Sequence, residues 1–310
     1  ARGLAAAIAE GGVGVLTGGR LTVEYAYAYA KFARVVLNTN DVDFRARVHS
    51  AEEADFLAGL AGAGLGVTYS DLEKAPTVLL VGLDPEEEAA TVFLRLRKAV
   101  RKRGTTVFAV APFASRGLAK LAAEMVLAAP GTEAEVLRAI ADGDQRVHDL
   151  TDALSATGSV VLVGERLAGV PGALSAASHL ATASGARLAW IPRRAGERGA
   201  LEAGALPHVL PGGRPFAEAE ARVDIAAAWG VPHVPVRAGR DTDAIIGALA
   251  DDSLSAAVVA GVELTDLPDP TAARAALEAA GFVVSLEVRR SEVTDLADVV
   301  LPVAPVAEKS

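Results

Sequence analysis

The run Gly11-Gly12-Val13-Gly14-Val15-Leu16-Thr17-Gly18-Gly19 sets glycines on either side of a short apolar stretch, and glycines let a backbone approach a pyrophosphate closely. A dinucleotide site wants the order Gly-x-Gly-x-x-Gly after a strand. Here Thr17 stands at the third glycine and most of the glycines flank the strand, so the run reads as a tight strand-to-loop turn. Gly164-Glu165-Arg166-Leu167-Ala168-Gly169 also follows an apolar run, without the Lys-Ser/Thr pair of a phosphate loop. His49, His148, His179, His208 and His233 include no pair at the spacing that puts two metal ligands on one helix face. No Gly-x-Ser-x-Gly elbow is present, and no Asp/Glu pair stands out for general acid–base work. With no cysteine, disulfides, thiolate-ligated zinc and thiolate-ligated iron–sulfur clusters are excluded within these residues.

Short Val/Leu-rich runs alternate with Ala-rich stretches of helical length, the pattern of strand–helix units in a mainly parallel, buried sheet. Candidate strands are Val13–Leu16, Thr77–Val81, Thr106–Val110, Val160–Val163, Leu188–Ile191, Ala257–Ala260, Phe282–Leu286 and Val299–Leu301. The clearest helix begins after the second strand: Asp84 is placed to cap it, Pro85 suits its first position, and Glu86, Glu87 and Glu88 meet the positive end of its dipole. Arg101, Lys102 and Arg103 fall in its last turn, where the dipole favours cations, and Gly104 can end it in the left-handed conformation. Pro192–Gly204, with Arg193, Arg194 and Arg198, and Pro207–Pro215, with Pro211-Gly212-Gly213, read as long loops.

A chain of 310 residues, 51% hydrophobic and 22% charged, can bury two cores of ordinary size. Its net charge of −9 opposes binding to nucleic acid or an anionic membrane surface. Its longest apolar stretches, such as Ala256–Val262, fall far short of the roughly 20 residues a membrane span needs.

Four segments together resemble the molybdopterin oxidoreductase superfamily, which includes formate dehydrogenases and the large peripheral subunit of complex I. They are Gly18–Glu24 with Lys31–Arg34 and Asn38–Asp43; Val78–Val81 with Gly82-Leu83-Asp84-Pro85; Thr106–Pro112 with Pro130-Gly131-Thr132-Glu133; and Phe282–Val288 leading into Val293–Pro302 and Glu308-Lys309. The last is the strongest, matching the family's Thr-x-x-Ala-Asp-Val-Val-Leu-Pro ending. Within the superfamily, Leu210-Pro211-Gly212-Gly213-Arg214 and Gly239-Arg240-Asp241-Thr242 look most like the large peripheral subunit family of bacterial NADH-quinone oxidoreductases.

The resemblance implies an α/β fold of two Rossmann-like domains with mainly parallel sheets, one inserted in the other, like domains II and III of the formate dehydrogenase and DMSO reductase group. Residues 1–47 and 197–310 would form one domain and 48–196 the other. The short apolar run Val13–Leu16 needs neighbours on both edges, which 257–260 and 282–286 can supply. The resemblance further implies a fragment cut at both ends, with iron–sulfur clusters in a region N-terminal to it. Its partners would be that region and the other subunits of the peripheral arm, on the cytoplasmic side of the bacterial inner membrane, with no insertion into the bilayer.

Two departures from the family pattern bear on chemistry. Catalytic members place a Cys, selenocysteine or Ser that ligates molybdenum near the segment here reading Ala46-Arg47-Val48-His49-Ser50; only Ser50 offers an oxygen. They also tend to end the following strand in an Asp-Pro-Arg that contacts the cofactor, and here the residues are Ala111-Pro112-Phe113. The expectation is a non-catalytic scaffold that binds no molybdopterin, with an emptied groove near Gly82, Asp84, Ala111, Phe113, Glu287, Thr294 and Asp298. The alternatives are an active molybdenum or tungsten bis-pterin oxidoreductase of formate dehydrogenase type, or a soluble nucleotide-binding enzyme.

Overall fold

The computed structural model describes residues 1–64, 66–145 and 148–308, apart from the side chains of His148 and Val306. Lys309, part of the C-terminal motif, lies outside the described residues. The chain forms two compact units: Ala1–Val48, Leu60–Gly62 and Arg194–Ser310 in the first, His49–Gly59 and Ala63–Arg193 in the second.

Each apolar run becomes a strand: β1 (Val13–Thr17), β2 (Val42–Asp43), β3 (Thr77–Val81), β4 (Thr106–Ala111), β5 (Glu124–Leu127), β6 (Val160–Gly164), β7 (Arg187–Ile191), β8 (Val209–Leu210), β9 (Arg214–Pro215), β10 (Ala256–Ala260), β11 (Phe282–Glu287) and β12 (Val299–Pro302). The first unit's sheet runs β12-β11-β10-β1-β2 and the second unit's β5-β4-β3-β6-β7, and every pairing in both is parallel. This is the expected α/β class, with the second sheet inserted in the chain between the halves of the first. β1 lies between β10 and β2, with Val15 opposite both Val258 and Val42.

One face of the first sheet, from Leu16, Val259 and Val283, packs on Ile245, Leu249, Ala273, Leu277 and Val293 of the helices that follow β9. In the second unit, Val78, Leu80, Val107 and Leu162 meet Leu72, Phe93 and Leu96. At the two ends of β1 glycine is obligatory for different reasons. Gly12 sits at φ +101°, which an L side chain resists, and a Cβ on Gly18 would lie 1.9 Å from the Gly261 carbonyl oxygen.

Four readings of the sequence need correction. Of the neighbours expected for β1, 257–260 pairs with it, but 282–286 pairs instead with the far edge of β10, because the two-residue β2 takes β1's other edge. The helix expected from Pro85 to Arg103 is two, Pro85–Glu88 and Ala90–Arg103, because Ala89 leaves helical geometry at φ −152°, ψ 67°. The break lets the Glu88 carboxylate turn back to accept from the Asp84 N–H at 3.0 Å and from Arg193 at 2.6 Å, while Val92, Phe93 and Leu96 still face the core. The ends behave as read, with Asp84 accepting from Glu86 N–H and Gly104 at φ +73°. The two long loops are partly ordered, since 197–202 is a helix and 209–215 a β8–β9 hairpin. The hairpin's Gly212 and Gly213 lie at φ +79° and +73°.

Within the second unit, Glu52 accepts 2.7 Å hydrogen bonds from the Gly172 and Ser175 N–H groups, capping the helix Ala173–Ser184 from outside. Partial burial opposes its ionisation, but those hydrogen bonds and the charge of Arg138 outweigh it and hold the carboxyl below its ordinary value. A depressed carboxyl contributes stability that is present above its unfolded value and lost as pH falls through the folded one. Glu52→Gln is therefore expected to lower the second unit's stability by about 1 kcal/mol at neutral pH. Urea unfolding should show the difference fading as the pH drops below about 4; an equal difference at pH 7 and pH 2 would contradict the charge argument.

Candidate functional site

In an open parallel α/β sheet, ligands sit beyond the carboxyl ends of the strands where strand order reverses. In the second unit that point lies between β3 and β6, and a cavity of about 270 Å³ occupies it. Gly82 and Asp84 after β3, Ala111 and Phe113 at the end of β4, Glu133, and Arg166 after β6 all line it. Four of the residues singled out from sequence, Gly82, Asp84, Ala111 and Phe113, are thus brought together.

The cavity's chemistry is set by its charges. Asp84 and Glu133 line it, and among the described residues the sole lining cation is Arg166, which is 3.0 Å from Glu88. Arg193 is held by the same Glu88 at 2.6 Å, and Lys120 by Glu86. Ala111 and Phe113 carry no side-chain donor, and Pro112 has no N–H; the Phe113 ring is 67% exposed. Phosphate recognition runs on charge-assisted donors and oriented N–H groups. Here the nearby cations already answer internal carboxylates.

Glu287, Thr294 and Asp298 belong to the first unit, where two of them have structural duties. Thr294 and Ser291 exchange side-chain and backbone hydrogen bonds in a capping box that starts the helix Glu292–Leu296. Asp298 clamps the start of β11: its carboxylate accepts from Val283 N–H at 2.8 Å and its own N–H donates to the Val283 carbonyl at 3.0 Å. The C-terminal motif is therefore readable as fold chemistry. Glu287 ends β11 and lines a cavity of about 1050 Å³ walled by Tyr25, Tyr29 and Phe32 over Val258, Val284 and Leu286. Burial, with Tyr25 and Glu287 nearby, pushes the Tyr29 phenol up to about 12, so it remains a neutral donor at physiological pH.

Two residues of the segment 46–50 have structural partners. Ser50 Oγ accepts from Glu53 N–H at 3.2 Å, starting the helix Ala51–Leu60. Arg47 donates to both carboxylate oxygens of Glu197, at 3.1 and 3.3 Å, and to the Val48 carbonyl. Glu197 is also 3.6 Å from Arg194, which reaches Asp266 at 2.7 Å. Sequence reading passes over this chain of ion pairs, and over Arg34, a fully buried guanidinium that donates to Asn40 Oδ1 and to the carbonyls of Gly204, Leu206 and Val209. No local signal marks either, because most of the partners are distant in sequence: Glu197 lies 150 residues from Arg47, and three carbonyl partners of Arg34 lie 170 to 175 residues away. Among the described residues no helix is long and apolar enough to cross a membrane.

The molybdopterin oxidoreductase family model matches residues 4–310. The NADH-quinone oxidoreductase G subunit of Streptomyces coelicolor is 60% identical over all of this chain and 39% of its own length. The Mycobacterium bovis protein of the same name is 58% identical over all of this chain and 38% of its own. The chain thus spans about two fifths of the curated relatives it matches. Acetylene hydratase from Pelobacter acetylenicus shares the fold at a TM-score of 0.50 and 14% identity, across 97% of this chain and 50% of that one.

Proposed function

The chain belongs to the molybdopterin oxidoreductase family, and from that premise we propose that it is a non-catalytic scaffold region of the large peripheral subunit of an NADH-quinone oxidoreductase. Its 58–60% identity to two proteins that bear the name of that enzyme's G subunit supports the assignment. The region would dock the remainder of its own subunit, where iron–sulfur clusters would reside, and neighbouring subunits of the peripheral arm on the cytoplasmic side of the inner membrane. It would carry no cofactor itself.

The observation that carries the scaffold reading is the second unit's cavity. A bis-pterin dinucleotide brings pyrophosphates and a metal, which call for free donors and a soft or oxygen ligand. The cavity offers Asp84 and Glu133 as acids, an Arg166 already beside Glu88, and the donor-poor Ala111-Pro112-Phe113 turn. No cysteine exists to ligate the metal, and the Ser50 hydroxyl is engaged at a helix start. Each charged hydrogen bond left unmade forgoes about 1.5–3 kcal/mol, so several such losses remove most of the affinity. The residues present do not fit the group.

Protein purified from cells that synthesise molybdopterin should contain neither molybdenum nor tungsten by elemental analysis, and should release no fluorescent pterin on acid extraction. Stoichiometric metal with extractable pterin would overturn the scaffold reading and favour an active molybdenum or tungsten oxidoreductase.

A further inference from the structure

From Ala89 to Ala123 the chain carries eight Lys and Arg residues and no Asp or Glu, although its net charge is −9. Six of the eight fall in the last nine residues of the helix Ala90–Arg103, in the second unit. The helix dipole favours cations only in the last turn, which accounts for Arg101, Lys102 and Arg103 but not for Arg95, Arg97 and Lys98. A solvated helix face ordinarily mixes signs, because like charges four residues apart repel. Here Arg97 stands four residues before Arg101, and Lys98 four before Lys102.

Internal carboxylates answer only part of this charge. Glu73 takes both Arg95 and Lys98, each at 2.7 Å. Among the described residues Arg97, Arg101, Lys102 and Arg103 have no carboxylate within ion-pair distance. Val92, Phe93, Leu96 and Ala99 commit the inner side of the helix to the core, so the cations lie on the face turned away from it. Leu94, one turn before Arg97 and Lys98, shares that face and is 61% exposed. Lys74 extends the patch, because the chain just after it is tied to the chain just after the helix: Thr105 Oγ1 donates to the Ala75 carbonyl at 2.7 Å and Thr106 N–H to that of Pro76 at 3.0 Å.

We infer that this face docks a short acidic segment of a partner protein, with carboxylates about 6 Å apart meeting Arg97 and Arg101 and an apolar side chain seated on Leu94. The guanidinium forks call for a planar anion such as a carboxylate, and the size of the patch selects a peptide. Arg97 to Arg103 spans only about 9 Å of helix, Glu73 lies beside it, and the acidic helix Pro85–Glu88 adjoins its start. An anionic membrane plane or a nucleic-acid duplex extends well beyond that distance and would bring those acids against like charge. A short acidic segment would not. The inference rests on the scaffold reading in that a docked region needs a docking face, and its experiment reads no metal, so the two can fail separately.

The probe is a capped, fluorescein-labelled peptide of about 12 residues in which Glu alternates with Ser around one central Leu. Fluorescence anisotropy with the 310-residue chain at about 0.15 M salt should show saturable single-site binding that weakens by about tenfold or more at about 0.5 M. Arg97→Glu combined with Arg101→Glu should weaken binding by at least about tenfold while Tm stays within about 2–4 °C of wild type, since neither side chain is in the core. Arg237→Glu combined with Arg290→Glu reverses two exposed cations of the first unit and should leave the affinity within about twofold. Leu94→Ser should weaken the peptide several-fold but not a version with Ser in place of its Leu. No binding at about 0.15 M salt, equal binding of a peptide with Gln for Glu, or equal losses from the two charge-reversal pairs would overturn the inference. So would tighter association, through Arg97 and Arg101, with phosphatidylserine vesicles or a duplex oligonucleotide than with the peptide.

Discussion

Replacing Arg34 by methionine is expected to destabilise the first unit by about 3–5 kcal/mol, the range for leaving a buried ionic network without one partner. Arg34 is 1% exposed. Its Nε donates to Asn40 Oδ1 at 2.9 Å, one terminal nitrogen to the Gly204 carbonyl at 2.8 Å, and the other to the carbonyls of Leu206 and Val209 at 2.9 and 3.0 Å. Asn40 in turn donates to the carbonyls of Pro235 and Arg237. One side chain thus ties the helix Val23–Val35 to the segment 204–209 and, through Asn40, to 235–237. A methionine fills much of the volume but takes a donor from four acceptors, of which Leu206 O keeps Val209 N–H at 3.4 Å, each acceptor left unsatisfied costing about 1–3 kcal/mol before water or relaxation makes up part of it. Burial pushes the guanidinium down to about 10, still well above neutrality, so the loss should not vary between about pH 5 and 8. The two tryptophans separate the units: Trp229 lies in the first and Trp190 in the second. Urea unfolding of a Trp190→Phe background, followed by Trp229 fluorescence, reads the first unit alone. Arg34→Lys should fall between wild type and Arg34→Met, since three donors on a point charge cannot reproduce the planar fork. A shift under about 1 kcal/mol for Arg34→Met would mean that the segment 204–209 is held by other contacts.

The central strands are legible because each is an uninterrupted apolar run buried on both faces: Val160–Gly164 and Ala256–Ala260 are buried at every position, while β12 is read from its apolar residues although it is exposed. β2 is not, because it has two residues, and β5 is not, because none of its four is buried at the edge it forms and two are exposed. The break at Ala89 cannot be read locally. Alanine is the best helix former, and what turns the chain there is Glu88 reaching Arg166 and Arg193, which lie far along the sequence. The same limit applies to the candidate site. Gly82, Asp84, Ala111 and Phe113 converge because strand–helix repetition places successive strand ends side by side. Arg34 gives no signal, since three of its four carbonyl partners lie 170 to 175 residues away. Backbone carbonyls carry no residue identity, so nothing in the composition near Arg34 announces that its donors will be satisfied there.

Glu197→Ala is expected to be about as disruptive as the loss of Arg34, for a different physical reason. Arg47 and Glu197 have side chains 3% and 0% exposed and meet at 3.1 Å. Removing the carboxylate takes the Glu197 partner from the buried Arg47 and weakens the hold on Arg194, which retains Asp266. Breaking such a pair from one side costs about 3–5 kcal/mol, whereas replacing both partners by apolar groups of similar volume is often neutral. Glu197→Ala should therefore lower the first unit's urea midpoint steeply, and Arg47→Met combined with Glu197→Leu should recover most of the loss. Glu197→Gln, which keeps an acceptor and the shape, should lie between them. The coupling energy of the double-mutant cycle, read by Trp229 fluorescence, is the deciding quantity. If the double substitution is as destabilising as the sum of the singles, the pair is not what anchors the segment. A large favourable coupling would show that residues 46–50, near which catalytic members of the superfamily place their metal ligand, are fixed here by an internal ion pair.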